Sequence, residues 1–173
     1  MRASRLGRYS WTMFDWANQP FYTLIMTFVF SVYFTDVFIA GEDGAQKLTL
    51  TQTISGLAIA LLSPVLGSIT DIKGSRKLLM GITSALFVLG MALLWYSPPG
   101  APDGIWLVMF GLILASAMVG FSEVFNNSVL STIETPENSG WLSGMGYGVG
   151  YIAGLIALIL FLIVFVWPGG ETD

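Results

Sequence analysis

Long apolar stretches separated by short polar connections dominate this chain. Five stretches each hold roughly the 20 mostly apolar residues that a helix needs to cross a hydrocarbon core about 30 Å thick. They are residues 14–39, 51–70, 78–96, 105–130 and 141–167. Each is apolar around most of its circumference, which indicates a helix whose backbone groups are satisfied within the membrane. The pattern predicts an all-α, polytopic membrane protein with five transmembrane helices.

Composition supports this prediction and excludes several functions. Charged residues make up 10% of the 173 residues, against about 25% in an ordinary soluble domain, and the mean hydropathy is +0.74. A net charge of −4 gives nucleic-acid binding no electrostatic support. The chain has no cysteine and no histidine, so disulfides, Cys or His metal sites and Ser-His-Asp triads are excluded. We therefore expect neither an enzyme nor a bound metal or cofactor.

The distribution of basic residues predicts the orientation in the membrane. Six of them fall on one side of the predicted spans, and only Lys47 falls on the other. The six are Arg2, Arg5, Arg8, Lys73, Arg76 and Lys77. By the positive-inside rule the N-terminus is cytoplasmic, in the cytoplasmic (inner) membrane if the protein is bacterial. The connection between the fourth and fifth spans shares this side, yet it carries Glu134 and Glu137 and no base.

The connection between the second and third spans combines glycine, acid and base in a short space. The residues concerned are Gly67, Asp71, Gly74, Arg76 and Lys77. Gly74 can supply the positive φ of a tight reversal, and Asp71 stands near a helix C-terminus, where the helix dipole disfavours a carboxylate. We therefore expect Asp71 to have a compensating partner. The alternative is a polar loop that only carries positive-inside charges.

Six of the polar residues within the predicted spans are candidates for a functional site. They are Asp15, Asn18 and Gln19 in the first span and Glu123, Asn126 and Asn127 in the fourth. A charge at a membrane helix centre costs at least about 2.5–3.5 kcal/mol, so we expect these residues to face the bundle or a cavity and to bind substrate or couple transport. The alternatives are a helix cap near the interface for Asp15 and Asn18, and helix-to-helix hydrogen bonds for the fourth span.

The fifth span carries two ladders of glycine at four-residue spacing. One is Gly140, Gly144 and Gly148, and the other is Gly146, Gly150 and Gly154. Small residues at this spacing let helix backbones approach closely in a membrane. We expect Gly144, Gly146, Gly148, Gly150 and Gly154 to serve helix packing; a substrate role is the alternative.

These motifs resemble those of the major facilitator superfamily. The set from Gly67 to Lys77 is similar to the family's signature loop G-x-x-x-D-(R)-x-G-(R)-(R/K), although Ile72 and Ser75 replace basic positions. Residues 14–18 (FDWAN), 124–130 (VFNNSVL) and 143–154 (SGMGYGVGYIAG) resemble, in order, motifs of the branch related to the autophagy-linked vacuolar amino-acid effluxers. The resemblance implies a secondary transporter of a small polar solute, possibly amino acids, with the signature loop as a cytoplasmic gating element.

The resemblance also predicts what accompanies this chain. The family fold has twelve spans in two six-helix halves, each built as an inverted three-plus-three repeat. Residues 1–173 supply five spans and resemble an incomplete N-terminal half. We therefore expect an N-terminal fragment whose partners are the lipid bilayer, a small-molecule solute, and the missing C-terminal half or a partner chain, with no nucleic acid. The alternative is a structural or assembly membrane protein that associates through its glycine-rich helix faces.

Overall fold

A computed structural model describes residues 4–73, 76–100 and 102–167, with only the backbone for residues 69–73. Within these residues the chain is almost entirely helical and forms no strand, and five helices are long and apolar enough to cross a membrane, as predicted. They are α1 (Arg5–Phe38), α2 (Glu42–Lys73), α3 (Arg76–Leu93, continued by a 3₁₀ turn at Leu94–Tyr96), α4 (Ile105–Ile133) and α5 (Pro136–Phe161, continued by a π-helical turn at Leu162–Val166).

The chain divides into two compact units. The terminal unit comprises residues 1–31 and 130–173, and the middle unit comprises residues 32–129. The first part of α1 packs against α5 in the terminal unit. The end of α1, α2, α3 and most of α4 belong to the middle unit.

Helix α1 changes its winding after a proline. Ser4 caps its N-terminus, with the Oγ accepting a hydrogen bond from the N–H of Gly7 at 3.2 Å. The α-helical part ends at Pro20, whose missing N–H cannot bond to the carbonyl four residues earlier. Residues Phe21–Phe28 then form a π-helical segment, and such segments are frequent at functional sites.

The reversal between α1 and α2 depends on two glycines. Gly41 has a φ of +93° and donates its N–H to the carbonyl of Thr35 at 3.2 Å. A Cβ on Gly44 would lie 2.0 Å from the carbonyl oxygen of Ile39, so no larger residue fits this turn. Helix α2 begins at Glu42 instead of near residue 51, because acidic residues complement its N-terminal dipole and Lys47 pairs with Asp43 at 2.6 Å.

Helix α4 is the most buried helix. In its most apolar segment 56% of the residues are buried, against 11–17% in the other four helices. Within the middle unit Phe121 and Phe125 of α4 form a cluster with Ile59 of α2 and Leu79 of α3. A buried hydrogen bond of 2.6 Å joins the hydroxyls of Thr83 and Ser122.

The other helices turn large apolar side chains outward, as expected for helices that face lipid. On α5 Leu155, Ile163 and Phe165 are all more than half exposed. Together with the five spanning helices, this surface defines an integral, multi-pass membrane protein. Trp11, in contrast, is buried against α5.

The α3–α4 contact predicts opposite effects for two glycine substitutions on α3. A Cβ on Gly90 would lie 2.8 Å from both the backbone nitrogen of Ala115 and the carbonyl oxygen of Gly111. Gly90→Ala should therefore force these backbones apart and lower stability by about 1–3 kcal/mol. Gly81 has no described atom within 4 Å of such a Cβ, so Gly81→Ala should raise helix stability by about 0.5–1 kcal/mol.

Titration with SDS in micelles, followed by circular dichroism, measures both variants. Equal midpoints for Gly90→Ala and Gly81→Ala would contradict the close α3–α4 approach.

Candidate functional site

The candidate site is built on the contact between α1 and α5 in the terminal unit. A Cβ on Gly150 would lie 3.3 Å from the Cβ of Asp15, and one on Gly154 would lie 2.5 Å from the Oγ1 of Thr23. Along α5, Gly146 meets Trp11, Gly150 meets Asp15 and Gly154 meets Gln19. Residue numbers rise together in these contacts, so the two helices run in the same direction. Both N-termini therefore lie at the same end of this helix pair.

One of the two glycine ladders makes this contact. Gly146, Gly150 and Gly154 face α1 and are buried, whereas nothing in the described chain lies within 4 Å of a Cβ on Gly144 or Gly148. Gly146, Gly150 and Gly154 thus contact α1, while Gly144 and Gly148 face away from it.

Asp15 occupies the space that Gly146 leaves open. A Cβ on Gly146 would come within 2.5 Å of the Oδ2 of Asp15. The carboxylate is half-buried, and no hydrogen bond or ion pair joins it to another residue of the described ranges. A carboxylate within a membrane-spanning helix is costly unless it is protonated or paired. This position therefore suits a group that takes up a proton or a cationic part of a ligand.

Asn18 and Gln19 extend the polar surface of α1 beside Asp15. The Nδ2 of Asn18 is buried and, within the described chain, has no hydrogen-bond partner. Gln19 is half-buried, and its Cγ would lie 3.1 Å from a Cβ on Gly154. A buried donor without a partner costs about 1–3 kcal/mol, so Asn18 offers an amide that a ligand can satisfy. All three residues precede the π-helical segment of α1.

The polar residues of α4 lie in the middle unit, where their burial differs. Asn126 is 4% exposed, Glu123 is half-buried and Asn127 is exposed. Neither Glu123 nor Asn126 is without a partner. The neighbouring Ser122, whose hydroxyl bonds to Thr83, was not predicted as a polar contact, because a single serine in an apolar stretch does not stand out.

The signature loop is described only in part. Gly67 lies in α2, Arg76 is the first residue of α3, where it is half-buried, and Lys77 is exposed. Gly74 lies outside the described residues, and for Asp71 only the helical backbone is described. The expected partner of Asp71 thus stays a prediction.

An ion pair that the sequence analysis did not predict closes the N-terminal end of the α1–α5 pair. The Nη1 of Arg8 donates to the Oε2 of Glu134 at 2.9 Å, and the Glu134 side chain is only 1% exposed. The N–H of Thr135 donates to the Oε1 of Glu134 at 3.1 Å. The sequence held one indication of this pair: the connection around Glu134 has acids but no base. Its positive charge comes from Arg8 of α1.

The fold and these residues define a class of protein: a helical, multi-pass membrane protein with unsatisfied polar groups between its helices. The chain is similar to YxiO, an uncharacterized MFS-type transporter of Bacillus subtilis (strain 168), with 30% identity over 144 residues. The match covers 80% of this chain and 32% of the relative, so the chain spans about a third of the relative's length. No protein-family model and no solved structure matches it.

The Arg8–Glu134 pair predicts a large cost when its base is removed. Arg8→Ala leaves a buried carboxylate without its cation, and we expect a loss of about 3 kcal/mol, the lower end for a broken buried pair because Arg8 itself keeps some contact with solvent. Lys47→Ala is the matched control, since its partner Asp43 is 75% exposed and such pairs contribute less than about 1 kcal/mol.

SDS titration of the two variants measures the difference. The exchange of both charges, Arg8→Glu with Glu134→Arg, should recover part of the loss. Equal stability of Arg8→Ala and Lys47→Ala would show that the pair is not formed in the membrane.

Proposed function

We propose that this chain forms the N-terminal helices of a secondary transporter that works by alternating access. The observation that carries the proposal is Asp15, an acidic side chain within a membrane-spanning helix that packs on the glycine ladder of α5 without a partner in the described chain. Ionisable residues within a membrane are costly and mark ion or substrate paths. The similarity to an MFS-type transporter supports a transport role for the chain.

The substrate class we propose is a small polar solute with an ammonium and a carboxylate group, such as an amino acid. Asp15 offers an acceptor for the ammonium, and the unsatisfied Nδ2 of Asn18 offers a donor for the carboxylate. Gln19, one residue further, can provide both a donor and an acceptor. Glu123, Asn126 and Asn127 are proposed to contribute the polar surface of α4 to substrate binding or coupling.

The remainder of the transport path is also a proposal. Transport between two halves that rock about a midplane site needs a second helical half, which further chain or a partner chain would supply. We propose a cytoplasmic N-terminus from the distribution of basic residues, and a gating role for the loop with Gly67, Asp71, Gly74, Arg76 and Lys77. With the N-terminus in the cytoplasm, the connection between α2 and α3 lies on the cytoplasmic side of the membrane.

A second candidate function is that of an assembly protein. The outward ladder of Gly144 and Gly148 favours it, because small residues without a neighbour in the described chain allow another helix to approach. An assembly protein has no need of an unpaired carboxylate at Asp15, so the effect of removing that charge separates the two functions.

The transporter proposal predicts that the charge of Asp15 is required. Asp15→Asn keeps the size of the side chain but removes a charge-assisted bond worth about 1.5–3 kcal/mol, so uptake should fall about tenfold or more. Asp36→Asn is the control on the same helix, because Asp36 is exposed and accepts a hydrogen bond from the Thr35 hydroxyl. It should leave uptake unchanged.

Uptake of radiolabelled amino acids into proteoliposomes, with the protein expressed from its complete reading frame, measures both variants. Equal uptake by wild type and Asp15→Asn would exclude Asp15 from the mechanism. The protein could transport no amino acid but another polar solute, whose uptake Asp15→Asn abolishes. That result would contradict the proposed substrate class and leave the role of Asp15 in transport unchanged.

Gly146 provides a test of the position of the carboxylate. Gly146→Ala places a methyl group 2.5 Å from the Oδ2 of Asp15 and 3.2 Å from the ring of the buried Trp11, so the flexible carboxylate must turn away and the ring must shift slightly. We expect KM to rise several-fold, with a loss of SDS stability of about 1 kcal/mol from the tighter packing. Gly144→Ala adds the same methyl group on the open face and should change neither quantity. Equal KM values for the two variants would place the substrate elsewhere.

A further inference from the structure

A cavity of about 110 Å³ lies at the N-terminal end of the α1–α5 pair. Its lining comes from the first two turns of α1 and the second and third turns of α5, and consists of Arg5, Arg8, Tyr9, Trp141, Leu142 and Met145. A single water needs only about 10–15 Å³ on this measure, so the cavity accommodates a group as large as a phosphate. It is separate from Asp15 and Asn18, which do not line it.

The charges around this cavity are unequal. Arg8 is engaged by Glu134 at 2.9 Å, and the second carboxylate oxygen of Glu134 accepts from the Thr135 N–H. Arg5 is exposed, and within the described ranges no acid pairs with it. The residues that line the cavity include two guanidinium groups and no acid. With Arg8 neutralised by Glu134, Arg5 gives the lining a positive charge next to the apolar surface of Leu142 and Met145.

The aromatic lining places this cavity at the depth of lipid headgroups. Tyr9 is 59% exposed and Trp141 is 67% exposed, and such amphipathic rings concentrate where a membrane meets water. In α1 the predicted apolar span begins only at residue 14, and charged side chains such as Arg5 and Arg8 are costly inside hydrocarbon. The first turns of α1, with Arg5 and Tyr9, therefore extend into the headgroup region.

We propose that this cavity binds the phosphate of an anionic phospholipid, with Arg5 as the principal contact. A guanidinium group binds phosphate through two parallel hydrogen bonds, and basic pockets between membrane helices bind anionic headgroups. Arg8 keeps its bond to Glu134 and adds positive potential beside the phosphate. Leu142 and Met145 form an apolar wall for the glycerol part of the lipid, which a free phosphate ion lacks.

Native mass spectrometry tests this proposal with the protein expressed from its complete reading frame and purified in a neutral detergent. Short-chain phosphatidylglycerol should bind, and Arg5→Gln should weaken its binding about tenfold, the effect of losing one charge-assisted pair. Arg5→Lys should recover part of the binding. The control is Lys47→Gln, which removes the same charge at a residue that does not line the cavity and should bind as wild type does.

Three results would overturn the proposal. The first is equal binding of phosphatidylglycerol by wild type and Arg5→Gln, with both proteins showing the same thermal midpoint. The second is equal affinity for phosphatidylglycerol and phosphatidylcholine, since that would mean no preference for net negative charge. The third is displacement of the lipid by an excess of inorganic phosphate, which would identify a site for a free anion. Because the readout is lipid binding, it is independent of whether Asp15 serves transport.

Discussion

The close approach of α1 and α5 is the contact on which the candidate site depends. Lipid tails are as apolar as the helices, so two membrane helices associate through close packing and polar bonds instead of the hydrophobic effect. Gly146, Gly150 and Gly154 provide that packing because they have no Cβ at the positions where Asp15 and Thr23 lie. The same glycines thus hold the helices together and create the space for a carboxylate between them.

Two polar clusters along α1 differ in whether their buried polar groups have partners. At the N-terminal end Arg8 and the Thr135 N–H satisfy the buried Glu134 from both oxygens, so this cluster contributes to stability. Two helical turns further on, Asp15 and the Nδ2 of Asn18 have no partner among the residues that the structure describes. A fold keeps such a cost where function needs it, and this difference separates the proposed substrate site from the ion pair.

The five helices could be predicted from the sequence, because apolar stretches of about twenty residues in a chain this poor in charge form few structures other than membrane-spanning helices. It predicted Asp15 as a candidate because a charge inside such a stretch is conspicuous. It could not choose between the two glycine ladders, since periodicity marks faces of a helix but does not say which face meets a neighbour. It also missed the pairing of Arg8 with Glu134, because 126 residues separate them and only the tertiary fold brings them together. Hydropathy did not predict that α2 begins as early as Glu42, because the first turns of this helix are polar and are stabilised by charge.

The buried polar residues of the other helices differ from Asp15 and Asn18, because they have interaction partners. Ser122 and Thr83 satisfy each other at 2.6 Å within the middle unit, so their hydroxyls serve to join α3 and α4. Glu123 and Asn126, a few residues away, are not without partners either, which ties part of the α4 polar surface to structure. Asp15 and Asn18 differ from all four in this respect. On physical grounds the polar face of α1 is therefore the stronger candidate for the proposed solute site, because packing limits how far the side chains on the polar face of α4 can rearrange.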